Sequence, residues 1–150
     1  MRNILPIVLL SFIFTTSNAQ IGGNALGARS KALGGTSILQ YDSWSGLNNP
    51  AILSGISEFK FGASFENKFM ISSLSNKALS VIFPLDNSAL GFGFIHYGNH
   101  LYNESEFSFS FGMKLLKNLS GGVKLNYYVI RQIEELDQLR NFSFDTGFNF

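Results

Sequence analysis

Cysteine is absent from the sequence. No disulfide framework, thiolate metal site or cysteine nucleophile can be built without it. The lipid-attached N-terminus of a bacterial lipoprotein is excluded as well, since it needs a cysteine just after the cleavage point. Charge is also scarce. Eleven basic and ten acidic residues give 14% charged positions and a net charge of +1, where a soluble domain carries about 25%. Such a balance offers no basic field for nucleic acid and no acidic tail. No apolar run after Phe14 approaches the roughly 20 residues that a transmembrane helix needs. If the rest of the chain crosses a membrane, it does so as strands. Motifs of catalysis are missing too. There is no Gly-x-Ser-x-Gly elbow and no Walker loop, and the glycines between Ala25 and Gly35 follow no strand that would support a nucleotide fold. His96 and His100 sit in or just after a strand, with no carboxylate pattern to complete a metal site. Glu134, Glu135 and Asp137 fall in a polar connection and read as solvated side chains rather than a catalytic pair. The expectation is no enzyme, no cofactor and no metal.

The amino-terminal residues read as an address. Met1-Arg2-Asn3 is a short cationic start, Ile4 to Phe14 is apolar, and Ser17-Asn18-Ala19 supplies small residues at the last and third-last positions. That is the pattern of a secretory signal peptide, with cleavage expected after Ala19. Residues 1–19 are therefore assigned to targeting, and the chain is expected to leave the cytoplasm for the outer membrane.

Two regions follow. Residues 20–56 are rich in Gly, Ala, Ser and Asn and poor in Phe. Residues 57–150 alternate. In Glu104–Leu116 the odd positions Phe107, Phe109, Phe111, Met113 and Leu115 are apolar, and the even positions are small or polar. Such a period of two separates the sets onto opposite faces of a sheet. Leu119–Arg131 repeats the pattern, with Val123, Leu125 and Tyr127 against Gly122, Lys124 and Asn126. Asn141–Phe150 does so with Phe142, Phe144 and Phe148 against Ser143, Asp145 and Gly147. Three earlier segments, marked by Phe59, Phe61 and Phe65, by Leu79, Val81 and Phe83, and by Leu90, Phe92 and Phe94, alternate with more noise. Asp86-Asn87-Ser88 and Lys117-Asn118 are turn signals. Longer polar connections are expected over Glu66–Asn76, Asn99–Asn103 and Gln132–Arg140.

Strands longer than the usual soluble 5–6 residues, with a Phe-heavy face and short turns at one end, point to an all-β fold. The expectation is an antiparallel transmembrane β-barrel of about six strands, with outer-membrane lipid as its solvent. The smallest such barrels have eight strands, so either strands are missing or several chains pool theirs into one barrel; the expectation is the N-terminal part of a longer barrel. Tyr97, Tyr102, Tyr127 and Tyr128 are expected as interfacial girdle residues.

The most specific pattern lies in residues 27–53. Gly27-Ala28-Arg29-Ser30-Lys31-Ala32-Leu33-Gly34-Gly35-Thr36-Ser37 is followed by Tyr41-Asp42-Ser43-Trp44-Ser45 and by Asn48-Asn49-Pro50-Ala51-Ile52-Leu53. This run resembles the N-terminus of the PorV/PorQ-like outer-membrane barrels of Bacteroidetes-type bacteria, distant relatives of the long-chain fatty-acid transporters. Asn48-Asn49 replaces the aromatic usual before Asn-Pro in that family, and Gln20–Leu26 is shorter than the leader of the PorQ branch. The resemblance implies a plug-like N-terminal segment, with Gly27, Arg29, Gly34, Gly35, Asp42, Trp44, Asn49 and Pro50 as its motif positions. It also implies an accessory or scaffold role in protein secretion of the type IX kind, with a secretion channel and exported proteins as partners. The alternative it implies is a passive conduit for hydrophobic small molecules. From the residues themselves, Gly34 and Gly35 suit a tight turn at positive φ. Asp42 or Ser43 is expected to cap a short helix over Trp44 to Leu47, and Pro50 to end it.

Overall fold

A computed structural model describes residues 26–132 and 138–150. The expected signal peptide, and Glu134, Glu135 and Asp137, lie outside the described residues. Six antiparallel strands form one sheet: β1 (Lys60–Asn67), β2 (Ser75–Pro84), β3 (Ser88–Gly98), β4 (Tyr102–Leu116), β5 (Leu119–Gln132) and β6 (Leu139–Asn149). Each pairs only with its neighbours in sequence, in the order β1-β2-β3-β4-β5-β6. The sheet is all-β and open, with β1 and β6 as its edges.

The alternation read from the sequence sets the register. One row runs Phe61, Val81, Phe92, Phe109, Leu125 and Phe144 across all six strands. The next runs Ala63, Leu79, Phe94, Phe107, Tyr127 and Phe142. Aromatic neighbours meet along these rows. Phe92 and Phe109 have ring centroids 5.1 Å apart, Phe94 and Phe107 4.9 Å, and Tyr127 and Phe142 4.7 Å. Such cross-strand pairs are the unit of sheet stabilisation. The opposite face carries Gly62, Ser80, Gly93, Ser108, Asn126 and Ser143 in one row and Ile82, Gly91, Ser110, Lys124 and Asp145 in the next.

Residues 26–56 pack across this second face. Helix α1 (Ala28–Ala32) ends in a turn whose Gly34 and Gly35 have φ of 69° and 86°, as expected for that pair. Helix α2 (Ser45–Asn48) is one turn long. A 3-10 helix over Pro50–Gly55 follows. Here Pro50 does more than end the preceding helix. It occupies the first helical position of the next one, where its missing N–H is no loss, and the Asn49 side chain accepts the Ala51 N–H at 3.1 Å. The helix expected over Trp44 to Leu47 begins at Ser45. Neither Asp42 nor Ser43 caps it: Trp44 holds the N-cap position with no side-chain bond, because Asp42 instead accepts the Trp44 N–H at 2.8 Å in the turn ahead of the helix.

Two apolar clusters sit between this segment and the sheet. Leu26, Trp44 and Leu47 meet Ala78, with Ile95 beside them. Leu53 and Ile56 meet Ile82 and Ala89. Ala51, Ile52 and Leu53 are fully buried. The core thus lies on the small-residue face, and among the described residues nothing packs over the face of phenylalanines.

The tyrosines divide differently from expectation. Tyr127 stands on the bare aromatic face, but Tyr97, Tyr102 and Tyr128 share the parity of Ile95, Ser108 and Asn126 on the covered face. Strand parity overrides the composition signal. Each of the three is an odd number of residues from a bare-face phenylalanine or tyrosine on its own strand.

Candidate functional site

The covered face is a seat shaped by missing side chains. Ala89, Gly112, Gly122 and Gly147 form one continuous cross-strand row over β3–β6. The backbone of Pro50 and Ala51 and the side chain of Asn49 lie directly on it. A Cβ at Gly112 would fall 2.1 Å from the Pro50 carbonyl oxygen, and one at Gly122 would fall 2.4 Å from the Pro50 carbonyl carbon. At Gly147 it would fall 2.3 Å from the Asn49 Oδ1. Only glycine lets two backbones approach so closely.

A buried polar cluster adjoins the row. Lys124, 9% exposed, donates from Nζ to the Leu47 carbonyl at 2.7 Å and pairs with Asp145 Oδ2 at 3.0 Å. Asn126 donates to Ser143 Oγ and to the same Asp145 oxygen, both at 2.9 Å. Ser80 donates to the Ser43 carbonyl at 2.6 Å. A lysine ammonium has three donors and no acceptor. Here it satisfies a helix-terminal carbonyl of the N-terminal segment and a carboxylate of β6 at once. It therefore ties the segment to two strands.

The eight motif positions separate into groups. Gly27 lies against the indole of Trp44 with φ of 80°, and a Cβ there would fall 2.5 Å from Trp44 Nε1. Trp44, Asn49 and Pro50 are buried at the seat. Asn49 donates from Nδ2 to the Ile38 carbonyl at 3.2 Å, tying the segment's loop to its 3-10 helix. Asp42 is half-buried and holds the Trp44 backbone. Arg29, Gly34 and Gly35 are exposed. Lys31, beside them, forms an ion pair with Glu66 of β1. Lys124, Asn126 and Asp145 also belong to the site; only Asp145 lies in a stretch, residues 141–148, that itself resembles a strand of the PorV/PorQ-like barrels. The signal available was a lone lysine and a lone aspartate on the small-residue face of consecutive strands.

The bare face inverts the usual polarity of a protein surface. Phe92 is 47% exposed, Phe107 50% and Phe144 60%, while Ser80, Ser110 and Asn126 beneath the segment are 2%, 2% and 1% exposed. A depression of about 520 Å³ lies on this bare face, lined chiefly by Leu79, Phe92, Phe94, Phe107, Leu125 and Tyr127. Among the described residues, no cluster of His, Cys, Asp and Glu could hold a metal ion. No family model, curated protein or solved structure matches the chain.

Proposed function

We propose that the chain is a component of an outer-membrane β-barrel and acts as an accessory or scaffold in protein secretion of the type IX kind. The inverted sheet carries the membrane part of this reading. A continuous aromatic and aliphatic face of this extent marks a surface made for lipid or a partner. Polar and small residues on the other face are what a barrel interior holds. The open edges of β1 and β6 bear unpaired backbone groups, each costing several kcal/mol in hydrocarbon. Strands beyond these six complete the barrel in this reading.

The secretion role rests on the resemblance of residues 27–53 to the PorV/PorQ-like barrels. A packed segment across the small-residue face favours a scaffold over an open conduit, because Lys124, Pro50 and Leu53 occupy the space that a solute would need. The test is deletion of the gene in the producing cell, followed by fractionation. Exported proteins retained in the periplasm are the expected result. Secretion at the parental level from the deletion strain would remove the role. A chain absent from the outer-membrane fraction would remove the barrel as well.

A further inference from the structure

The charges on the strands are sorted by face. Every described carboxylate within a strand, Glu66, Glu104, Glu106 and Asp145, shares the covered face. Among the described strand residues the bare face carries only basic charges, Lys77, Arg131 and Arg140, and all three stand at one end. Lys77 pairs directly with His96 across β2–β3, and their row continues through Ser105 and Val129 to Arg140. Arg131 is two residues beyond Val129 on the same face of β5, diagonal to Arg140. Lys77, Arg131 and Arg140 are all exposed. This basic row lies a single pleat repeat, roughly 7 Å, from the row of Leu79, Phe94, Phe107, Tyr127 and Phe142 that lines the apolar depression.

From this juxtaposition we infer that the bare face holds a specific site for an anionic lipid, with its phosphate headgroup on the Lys77, Arg131 and Arg140 row and an acyl chain in the depression between Phe92, Phe94, Phe107 and Leu125. The inference rests on the membrane reading above and adds to it a ligand class and a place. Complementarity is twofold. An acyl chain matches a trough walled by phenyl and isobutyl groups. A phosphate matches guanidinium groups, which bind it through paired donors. The basic end is also the end of the longer connections, residues 68–74 and 133–138. In a membrane barrel that end faces outward, so the site belongs to the outer leaflet. A neutral lipid would gain the trough but nothing from the cations.

The protein is purified from outer membranes of the producing cell, in whatever assembly it forms there, and reconstituted in phosphatidylcholine vesicles. Spin-labelled phosphatidic acid and spin-labelled phosphatidylcholine are compared for the fraction of lipid immobilised at the protein. The expected result is a preference for phosphatidic acid that falls about fivefold for each of K77Q, R131Q and R140Q, the weight of one basic group at a membrane surface. It is expected to be unchanged in K117Q, whose charge lies in the short turn at the opposite end. Equal immobilisation of the two lipids by protein that is in the membrane would overturn the site and leave the membrane reading standing. Protein absent from the outer membrane would overturn both. Displacement of the labelled phosphatidic acid by excess inorganic phosphate alone would show an anion site with no role for the acyl chain.

Discussion

Adjacent glycines on β5 give a sharp test of how the N-terminal segment is held. Gly121 and Gly122 differ by one residue and therefore point to opposite faces. An alanine methyl at Gly122 would fall 2.4 Å, 2.5 Å and 2.6 Å from the Pro50 carbonyl carbon, the Pro50 oxygen and the Ala51 nitrogen. Ordinary carbon contacts are about 3.5–4.0 Å, so the 3-10 helix must withdraw by about 1 Å. All three atoms are backbone and cannot rotate away. At Gly121 the methyl meets the tip of Leu115 at 2.9 Å, and that side chain can turn aside. Overpacking costs about 1–3 kcal/mol, while replacing glycine within a strand returns about 0.5–1 kcal/mol of backbone entropy. G122A is therefore expected to loosen the segment by about 1–2 kcal/mol, and G121A to leave it unchanged or slightly tighter. Trp44, the sole tryptophan, is buried under the segment and reports on it directly. Chymotrypsin cleavage after Trp44 in detergent solution should quicken about tenfold in G122A, since each 1.4 kcal/mol is a factor of ten when opening precedes cleavage. Trp44 emission should shift to the red at lower urea. Equal behaviour of the two variants would refute the seat.

The lysine tie predicts an asymmetry. K124M strands the buried Leu47 carbonyl and the Asp145 carboxylate together and is expected to cost about 2–3 kcal/mol. The Asp145 side chain is 45% exposed, and D145N leaves the bond to Leu47 in place, so its cost should stay near 1 kcal/mol. Urea titration of Trp44 emission measures both, and a D145N loss as large as that of K124M would contradict the assignment of the main role to the Leu47 bond. On the bare face, F107R places a charge where the reading puts hydrocarbon, at about 2–4 kcal/mol near the bilayer centre. The variant should be depleted from the outer-membrane fraction, and parental levels there would argue that Phe107 does not face lipid.

Much of the sheet was legible because its rule is local. Phe107, Phe109 and Phe111 against Ser108, Ser110 and Gly112 announce two faces whatever the rest of the chain does. Boundaries were less legible where the alternation lacks phenylalanine. β2 begins at Ser75, because Asn76 and Ala78 are covered-face residues with no apolar contrast to mark them. The 3-10 helix over Pro50–Gly55 is not legible in the sequence, because a proline after a helix signals a stop although its fixed φ serves equally well as a start. Within residues 26–56, Gly34 and Gly35 were readable as a turn from residue type alone. The partners of Asn49 and Pro50 were not. Gly112, Gly122 and Gly147 stand 62 to 98 residues away along the chain, and each looks like any other strand glycine until the register aligns them. The Lys124–Asp145 pair was hidden for the same reason.

That glycine row also fixes an order of events. Strands β1 to β6 each join the strand made just before, so the sheet can grow one hairpin at a time with little loop entropy to overcome. The place for Pro50 does not exist until Gly112, Gly122 and Gly147 are side by side. Tyr41 likewise meets its partner Asn149 only after β6 has docked. The segment that is synthesised before all six strands is thus the piece that must be fitted after them. Trp44, Leu47 and Leu53 can already rest on Ala78, Ile82, Ala89 and Ile95 of β2 and β3, but Pro50 and Ala51 stay unseated until β6 is in place. The segment is thus held in two stages, first by apolar contacts to β2 and β3 and then by the glycine row of β4, β5 and β6.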